Sequence, residues 1–587
     1  MIRRVIFALA LLSPFVLFSL AARTSFAQGR INHAITSENQ SAPPNGRDFW
    51  FCIPQNYFRS GPNGDGSRYF LIYITSTRNT TAYVQVGTGP VMTRKVVANK
   101  TTVVKSTPTI PEFPTSTELG SSGVAETRSI HIWSNDADLS VYFLSRALHT
   151  SDGMYCIPTT GWGTEYVVAS YNGYPVNSAI GDLPSEFCVV ANQDNTYVTI
   201  TPTYDIRGTG PTNIAIHPKG QPFSQLLNKG ECVQYQTTTE VVDGTDLTGT
   251  FVSATKPVGV IGASVCPNIP VGDPACDHIL DMLPPIRTWA KNYFTAPFQG
   301  RKYGGDLFLV VGTKAGQEIR RNGSVAASLG QPYDFAFIPD ITTPSYWTSD
   351  TTFMLVQYQQ SKTHSDPTTA KTSNLGDPAM VVVNPAEQFG KKIVFQIPDS
   401  IILSGQSNFS NVLNILVPIS HENTTLIDGR PLNNPGPGLT IGGKILTLAI
   451  PQKQVIPGTG WEVVYISTIS TSNAGEGTHV LTSDTTIGLY IYGETDYDSY
   501  AWAGALGIRS PTTKDTLPPI AIPDGRCFCS TVKLYDNRPI DTKLSSMGYD
   551  SVLNMTFYPD TSFVYGGGAD SSYYEICVID SSKPAYI

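Results

Sequence analysis

Alternating apolar and polar residues recur along this chain in runs of five to seven, which predicts β-strands rather than helices. One order of strands occurs four times: an opening strand, a strand pair around a polar turn, and a closing strand after a turn rich in Ser, Thr, Asp, Lys and Pro. The opening strands read Asp48-Phe-Trp-Phe, Glu165-Tyr-Val-Val, Asn292-Tyr-Phe-Thr and Lys392-Ile-Val-Phe. This order predicts an all-β chain of about four tandem repeats.

Each repeat has the size of a β-sandwich domain, because the opening strands are about 100 to 127 residues apart. Two arrangements fit: separate sandwiches that abut tightly, or repeats that share strands in one pseudo-symmetric assembly. The Pro- and Gly-containing junctions are short, so we expect little freedom between neighbours. After a Pro- and Thr-rich linker we expect a short Ig-like β domain. The predicted segments are a signal peptide (1–27), an N-terminal leader (28–45), repeats 1 to 4 (46–155, 156–285, 286–385 and 386–510), the linker (511–523) and the Ig-like domain (524–587), which is either complete or truncated.

The N-terminus has the order of a secretory signal peptide: two arginines, an apolar run, and the small residues Ser25 and Ala27 before Gln28. An uncleaved membrane anchor is the alternative. Removal of the three arginines in this segment takes the net charge from −8 to −11. A mildly acidic chain without basic clusters is a poor ligand for nucleic acid. We therefore expect a secreted or cell-surface protein with no membrane span in the mature chain, and surface attachment remains open.

The nine cysteines are compatible with disulfides in an exported protein. Cys266 and Cys276 are close enough in sequence to staple one loop. Either Cys527 or Cys529 can pair with Cys577, and we take Cys527–Cys577 as the working assignment. The remaining four, which are Cys52, Cys156, Cys188 and Cys232, are either buried small residues or further bridges.

No catalytic or nucleotide-binding motif is present, so we expect no enzyme activity and no cofactor. The densest polar group is Cys276-Asp-His-Ile-Leu-Asp281, in which Asp277 and His278 are candidates for ligand contact or acid–base chemistry. A loop whose polar groups bind the backbone is the simpler interpretation. Four aspartates, Asp243, Asp246, Asp273 and Asp277, do not have the spacing of a calcium loop, so no metal site is predicted.

Aromatic residues in predicted loops are the other candidates for ligand contact, because their rings can stack on glycans or on protein. Trp162 and Tyr171 are the candidates taken forward, and Tyr174 and Trp502 are further examples. At strand positions, by contrast, aromatic side chains normally belong to the core.

Several segments resemble the N-terminal domain family of IgG Fc-binding protein. They are Gly46-Arg-Asp-Phe-Trp, Gly163-Thr-Glu-Tyr-Val-Val-Ala-Ser-Tyr, Lys256-Pro-Val-Gly-Val-Ile-Gly-Ala-Ser, Cys276-Asp-His-Ile-Leu-Asp-Met-Leu-Pro-Pro and Gly376-Asp-Pro-Ala-Met. The resemblance spans residues 46–507 and implies a secreted, non-enzymatic binding protein, here of bacterial type. It also implies a Cys266–Cys276 disulfide beside Asp277 and His278. Fc binding itself and ligand residues do not carry over.

The first functional hypothesis is an extracellular binding or adhesion protein whose partner is a protein or a glycan. The alternative is a structural scaffold or spacer of an extracellular assembly. A secreted hydrolase is a third, and it requires a deep pocket with paired carboxylates or a nucleophile and base.

Overall fold

The alternating segments form antiparallel strands in the computed structural model, and the all-β fold class is confirmed. The structure describes residues 46–57, 60–61, 64–65, 68–177, 181–209, 215–238, 245–273, 275–299, 304–365, 376–398, 409–432, 439–441, 444–446, 452–468, 477–495, 497–504, 520–523, 529–535, 555–559 and 571–579. The predicted signal peptide, leader and interdomain linker (511–523, apart from its last four residues) lie outside these ranges.

Repeats 1 and 2 have matching strand orders. The strands of repeat 1 are Asp48–Phe51, Ser60–Gly61, Gly64–Asp65, Arg68–Thr75, Thr80–Val86, Met92–Val96, Thr102–Ser106, Ala125–Glu126, Ile130–Trp133, Ser140–Ala147 and Thr150–Tyr155, with a 3-10 turn at Thr115–Thr117. Those of repeat 2 are Gly163–Val167, Tyr174–Asn177, Gly181–Leu183, Ser185–Ala191, Thr196–Thr201, Ile206–Arg207, Ala215–His217, Phe223–Leu227, Cys232–Gln236, Phe251–Ser264 and Ile279–Met282, after a 3-10 turn at Thr159–Gly161.

Repeats 3 and 4 follow the same plan. Repeat 3 contains Ala290–Thr295, Asp306–Gly312, Gln317–Arg321, Ser324–Leu329, Phe335–Ile341, Ser345–Gln359 and Ala379–Val382, with a 3-10 turn at Ile286–Thr288 and a short α-helix at Lys362–Ser365. Repeat 4 contains Gly390–Ile397, Ser410–Pro418, Leu426–Ile427, Arg430–Pro431, Leu439–Ile441, Lys444–Leu446, Gln452–Ile456, Trp461–Thr468, Gly477–Thr495 and Asp498–Ala503, with 3-10 turns at Ala386–Gln388 and Ile419–Thr424.

Each repeat has two groups of antiparallel strands, and the closing strand takes part in both. In repeat 2 the first half of Phe251–Ser264 pairs with Gly163–Val167 and Thr196–Thr201, and its second half pairs with Ser185–Ala191 and Ile279–Met282. Repeat 1 divides this closing strand into two pieces, which gives two separate four-stranded sheets. The polar segment that the sequence suggested as a turn before the closing strand lies inside one continuous strand in repeats 2 to 4. There it coincides with a register shift, because a bulge accommodates extra residues while pairing continues on both sides.

The last strand of each repeat lies at the centre of the assembly. These four strands, called the inner strands below, are Thr150–Tyr155, Ile279–Met282, Ala379–Val382 and Asp498–Ala503. The inner strand of repeat 1 packs against those of repeats 2 and 4, and the inner strand of repeat 3 packs against the same two. The four repeats therefore meet at one centre through their inner strands.

Aromatic contacts between repeats close this ring. Trp502 of repeat 4 is fully buried and its ring packs against Tyr73 and Tyr142 of repeat 1. Tyr171 of repeat 2 packs against Phe337 and Tyr358 of repeat 3. Repeat 3 meets repeat 4 through further rings, Phe294 and Trp461. Burial of such rings contributes a large share of interface energy, so the interfaces hold the repeats in fixed positions.

A proline followed by a 3-10 turn and an aromatic residue connects successive repeats. Pro158, Pro285 and Pro385 occupy extended backbone just before these turns. Proline fixes φ and has no N–H to satisfy at a helix start. The aromatic residue that ends the turn folds back on it: Trp162 Nε1 donates to the Ile157 carbonyl and Trp289 Nε1 to the Pro284 carbonyl, both at 3.1 Å.

In the C-terminal region the structure describes four antiparallel strands, paired in the order Ile520–Pro523, Cys529–Tyr535, Ser571–Val578, Met555–Pro559. The Ig-like assignment of this region stays a prediction. Within the described part of the chain, no helix has both the length and the apolar character needed to span a membrane.

Candidate functional site

A single carboxylate joins all four inner strands. Asp152 Oδ1 accepts hydrogen bonds from the backbone N–H of Gly153 at 2.8 Å and of Ala501 at 3.0 Å. Its Oδ2 accepts from the N–H of Leu280 at 3.1 Å and of Met380 at 3.0 Å. Burial raises the pKa of Asp152, and the four N–H donors act in the opposite direction. Each donor belongs to a different repeat, so Asp152 fixes the relative positions of all four.

Asp277 and Asp281, predicted from the sequence as the densest polar group, also lie in this centre. Asp277 accepts from the backbone N–H of Ser151 at 2.7 Å, of His278 at 2.8 Å and of Ser499 at 3.1 Å. Asp281 accepts from Met282 at 2.8 Å and from Val382 at 2.7 Å. Burial raises the pKa of both carboxyls, that of Asp281 to about 8. Both side chains bind backbone of neighbouring repeats.

His278 is fully buried next to Asp277 and is held by the main chain. Its Nδ1 lies 2.9 Å from the Ser264 carbonyl oxygen, and a carbonyl can only accept, so Nδ1 carries the hydrogen. Burial lowers the pKa of His278 to about 4, which keeps the ring neutral near pH 7. A disulfide between Cys266 and Cys276, with Cα atoms 5.2 Å apart, ends one residue before Asp277.

A buried ion pair completes the centre. Arg146 Nε lies 3.0 Å from Asp498 Oδ2, and neither side chain is exposed to solvent. The guanidinium carbon also lies 4.3 Å from the centroid of the Phe409 ring. Burial raises the pKa of Asp498 to about 6, against the opposing effect of Arg146. This pair bridges repeats 1 and 4 and reinforces the closure of the ring.

The chemistry of this central cluster is that of a hydrogen-bonded core. Its carboxylates are buried, and the oxygens of Asp152, Asp277 and Asp281 face backbone N–H groups. Among the described residues, no group of three or more His, Cys, Asp or Glu side chains is arranged to hold a metal ion. Of the other aspartates considered for calcium, Asp246 is bound to the Thr248 N–H, Asp273 faces His364, and Asp243 lies outside the described residues.

The two aromatic candidates from the sequence are core residues in the structure. Trp162 is 3% exposed and Tyr171 is 5% exposed. Both occupy interfaces between repeats, where segments that look like free loops in the sequence become enclosed. Cys577 is disulfide-bonded, but the side chains of Cys527 and Cys529 are not among those described, so that pairing stays a prediction.

A different set of aromatic rings lies on the outer face of repeat 1. Trp50, His131, Trp133 and Tyr83 form a continuous stack across three neighbouring strands, called the aromatic ladder below. Ring centroids are 3.8 Å apart for the first pair, 4.3 Å for the second and 5.3 Å for the third, with interplanar angles of 12° to 21°. On Ile130–Trp133 and Thr80–Val86 the buried residues alternate with the ladder positions, so the rings of His131, Trp133 and Tyr83 are partly exposed, whereas Trp50 at the end of the ladder is buried.

Charged groups flank the aromatic ladder. Asp48 Oδ1 lies 2.6 Å from His131 Nε2, and Asp48 Oδ2 accepts from the Thr159 hydroxyl at 2.9 Å. Burial acts to raise the pKa of Asp48, but these hydrogen bonds outweigh it and the net shift is downward. Lys229 Nζ lies 5.8 Å from the Trp50 ring centroid. The surface thus offers partly exposed aromatic rings beside a carboxylate and an ammonium group.

Two of the ladder rings, Trp133 and Tyr83, are particular to repeat 1, whereas repeat 3 carries Phe294 and Tyr346 at the register of Trp50 and His131. The register that aligns Asp48, Trp133 and Tyr83 in repeat 1 aligns Glu165, Ser253 and Thr199 in repeat 2. In repeat 3 the residues at these positions are Asn292, Thr348 and Arg320. In repeat 4 they are Lys392, Thr482 and Leu426. Packing within a repeat therefore does not require aromatic rings at the positions of Trp133 and Tyr83.

Comparison with known proteins identifies the family. A family model described as IgGFc binding protein matches residues 152–493, more than half of the 587-residue chain. The chain belongs to the IgGFc-binding family. Membership confirms the resemblance seen in the sequence and indicates an extracellular, binding-type protein. No curated protein and no solved structure matches the chain.

The part matched to the IgGFc-binding family begins at Asp152 and ends near the close of the long strand Gly477–Thr495. It includes Asp277, His278 and Asp281, whereas the aromatic ladder precedes it. Sequence reasoning missed the ladder, although a signal was present. In Ile130-His-Ile-Trp133 the two isoleucines point inward. His131 and Trp133 therefore occupy the outward-facing positions of the strand, which normally carry polar side chains.

Proposed function

We propose that this member of the IgGFc-binding family is a secreted, non-enzymatic adhesion protein that binds an extracellular protein or glycan through the aromatic ladder of repeat 1. Family membership over residues 152–493 is the observation that carries the assignment to extracellular binding. The ring of repeats supports it, because a rigid frame holds a surface ligand site in one geometry.

The ladder supports the location of the site. Aromatic residues at exposed positions are the usual anchors of binding surfaces, since they bury a large area while losing little conformational entropy. Trp133 and Tyr83 stand where the other repeats carry Ser, Thr, Arg or Leu. Asp48 and Lys229 beside the rings supply hydrogen bonds that orient a polar ligand.

The test is a glycan and extracellular-protein array, with immunoglobulin Fc among the probes, incubated with the chain from residue 28 onward. We expect saturable binding to at least one glycan or protein class. If a folded sample binds nothing on the array, the adhesion role fails, and the structural scaffold becomes the better account of the ring of repeats.

A further inference from the structure

Three cysteines from two repeats meet in the core between repeats 1 and 2. Cys52 follows the opening strand of repeat 1, and Cys188 and Cys232 lie on the paired strands Ser185–Ala191 and Cys232–Gln236 of repeat 2. All three are unbonded thiols with no exposed surface. Cys52 lies in the same cluster of buried residues as Cys188 and Cys232, and its thiol interacts with both of theirs. These thiols take no part in the binding surface.

Strand geometry decides which thiols can bond. Cys188 is directly opposite Gln234, and Cys232 is opposite Val190, so the two cysteines of repeat 2 are diagonal neighbours on one face. Diagonal positions on adjacent strands are several ångströms further apart than the Cβ–Cβ distance of about 3.5–4.5 Å that a disulfide needs. Cys52 approaches from the other repeat and contacts both sulfurs. It is therefore the shared partner in either bridge.

We propose that Cys52 forms a disulfide with Cys188 or Cys232, which links repeat 1 covalently to repeat 2. This inference rests on the export included in the proposed function, because disulfides persist in oxidising compartments. The oxidant is a disulfide-bearing compound. The thiolate of one cysteine attacks it and releases one oxidant thiol, and the partner thiolate then attacks the mixed disulfide and releases the second. Two cysteine thiols become one disulfide, and the oxidant gains the two electrons and two protons.

Burial sets the order of events. Because the docking of repeat 1 on repeat 2 brings the thiols together and the finished interface encloses them, oxidation has to take place while this interface is forming. We therefore expect the bridge to form during folding and to resist mild reductants afterwards. The third thiol of the group remains reduced in the folded protein.

The experiment is thiol mapping of the full chain in two preparations. One is secreted by a host into an oxidising compartment, and the other is refolded from the reduced state in a buffer of oxidised and reduced glutathione. Each is denatured, alkylated without reductant, digested and analysed by mass spectrometry. We expect the Cys52 peptide crosslinked to the Cys188 or the Cys232 peptide in both, while Cys156, which is buried outside this group, is alkylated.

The Cys266–Cys276 disulfide is the internal control. If it forms in the refolded sample while Cys52, Cys188 and Cys232 are all alkylated, the inference is wrong. A bridge between Cys188 and Cys232 would overturn it as well. If the Cys52 bridge and the Cys266–Cys276 bridge both form on refolding and neither forms in the host, the disulfide inference holds. The export included in the proposed function is then wrong.

Stability provides a second measurement. Addition of strong reductant before heating should lower the Tm of the wild type more than that of Cys52→Ser. Both proteins lose the Cys266–Cys276 bridge and the bridge of Cys577, and only the wild type also loses the Cys52 bridge. Cys156→Ser should behave as the wild type. Equal shifts for the wild type and Cys52→Ser would contradict the bridge.

Discussion

Arg146 and Asp498 form a fully buried ion pair across 352 positions of sequence, with Nε and Oδ2 3.0 Å apart. The pair belongs to the first and last repeats, which are brought together only when the ring closes. Removing one partner leaves a buried charge without compensation, which typically costs about 3–5 kcal/mol.

Arg146→Met and Asp498→Asn should therefore each lower the free energy of unfolding by about 3–5 kcal/mol. The double variant should lose clearly less than the two single losses combined, because it leaves neither charge unpaired. Urea unfolding followed by far-UV circular dichroism provides these values. Additive single losses would mean that the two side chains stabilise the ring independently.

Asp152→Asn is predicted to weaken the centre of the ring. Asparagine has one acceptor oxygen, and its NH₂ group replaces the other carboxylate oxygen. Because NH₂ is a donor and cannot accept, about half of the four backbone N–H groups lose their partner. Each unsatisfied buried group costs about 1–3 kcal/mol, which predicts a loss of about 2–6 kcal/mol in urea unfolding. The exposed Asp350, paired with Lys314, is the matched control, and Asp350→Asn should change stability by less than about 0.5 kcal/mol.

Asp281 makes stability depend on pH. Its pKa is raised to about 8 in the folded protein, above the value of about 3.9 for an unfolded aspartate, so the folded state holds a proton that the unfolded state releases. This contribution is present below about pH 4 and is lost as pH rises toward 8. The free energy of unfolding of the wild type should therefore fall relative to that of Asp281→Asn, by at most about 1.4 kcal/mol per pH unit.

Urea unfolding of both proteins between pH 5 and pH 9 checks this prediction. A wild-type curve parallel to that of Asp281→Asn over the whole range would show that Asp281 does not titrate there. Asp350→Asn again serves as the control and should leave the pH dependence unchanged.

Local patterns predicted the strands and the fourfold repeat because alternation and turn residues act over a few positions. The central cluster could not be placed in this way. Asp152 and Asp277 bind backbone of other repeats, and nothing near them in sequence specifies those partners. The same reason explains why Trp162 and Tyr171 are buried: their segments become interfaces only after the repeats assemble.

The aromatic ladder could have been predicted in part. Alternation places Trp133 and His131 on the outer face, which is a local inference. Their stacking with Trp50 and Tyr83 depends on the register of three strands, and the contrast with Ser253, Thr348 and Thr482 appears only when the four repeats are aligned in register.

The proposed binding surface is tested most directly by comparing the wild type with Trp133→Ser combined with Tyr83→Thr on the same glycan and protein array. These changes introduce the residue types that repeat 2 carries at the same register positions. The matched control is Tyr197→Thr, which changes an exposed tyrosine of repeat 2. The account predicts at least about a tenfold loss of affinity for the ladder variant, with Tyr197→Thr unchanged. Undiminished binding by a folded ladder variant would contradict it.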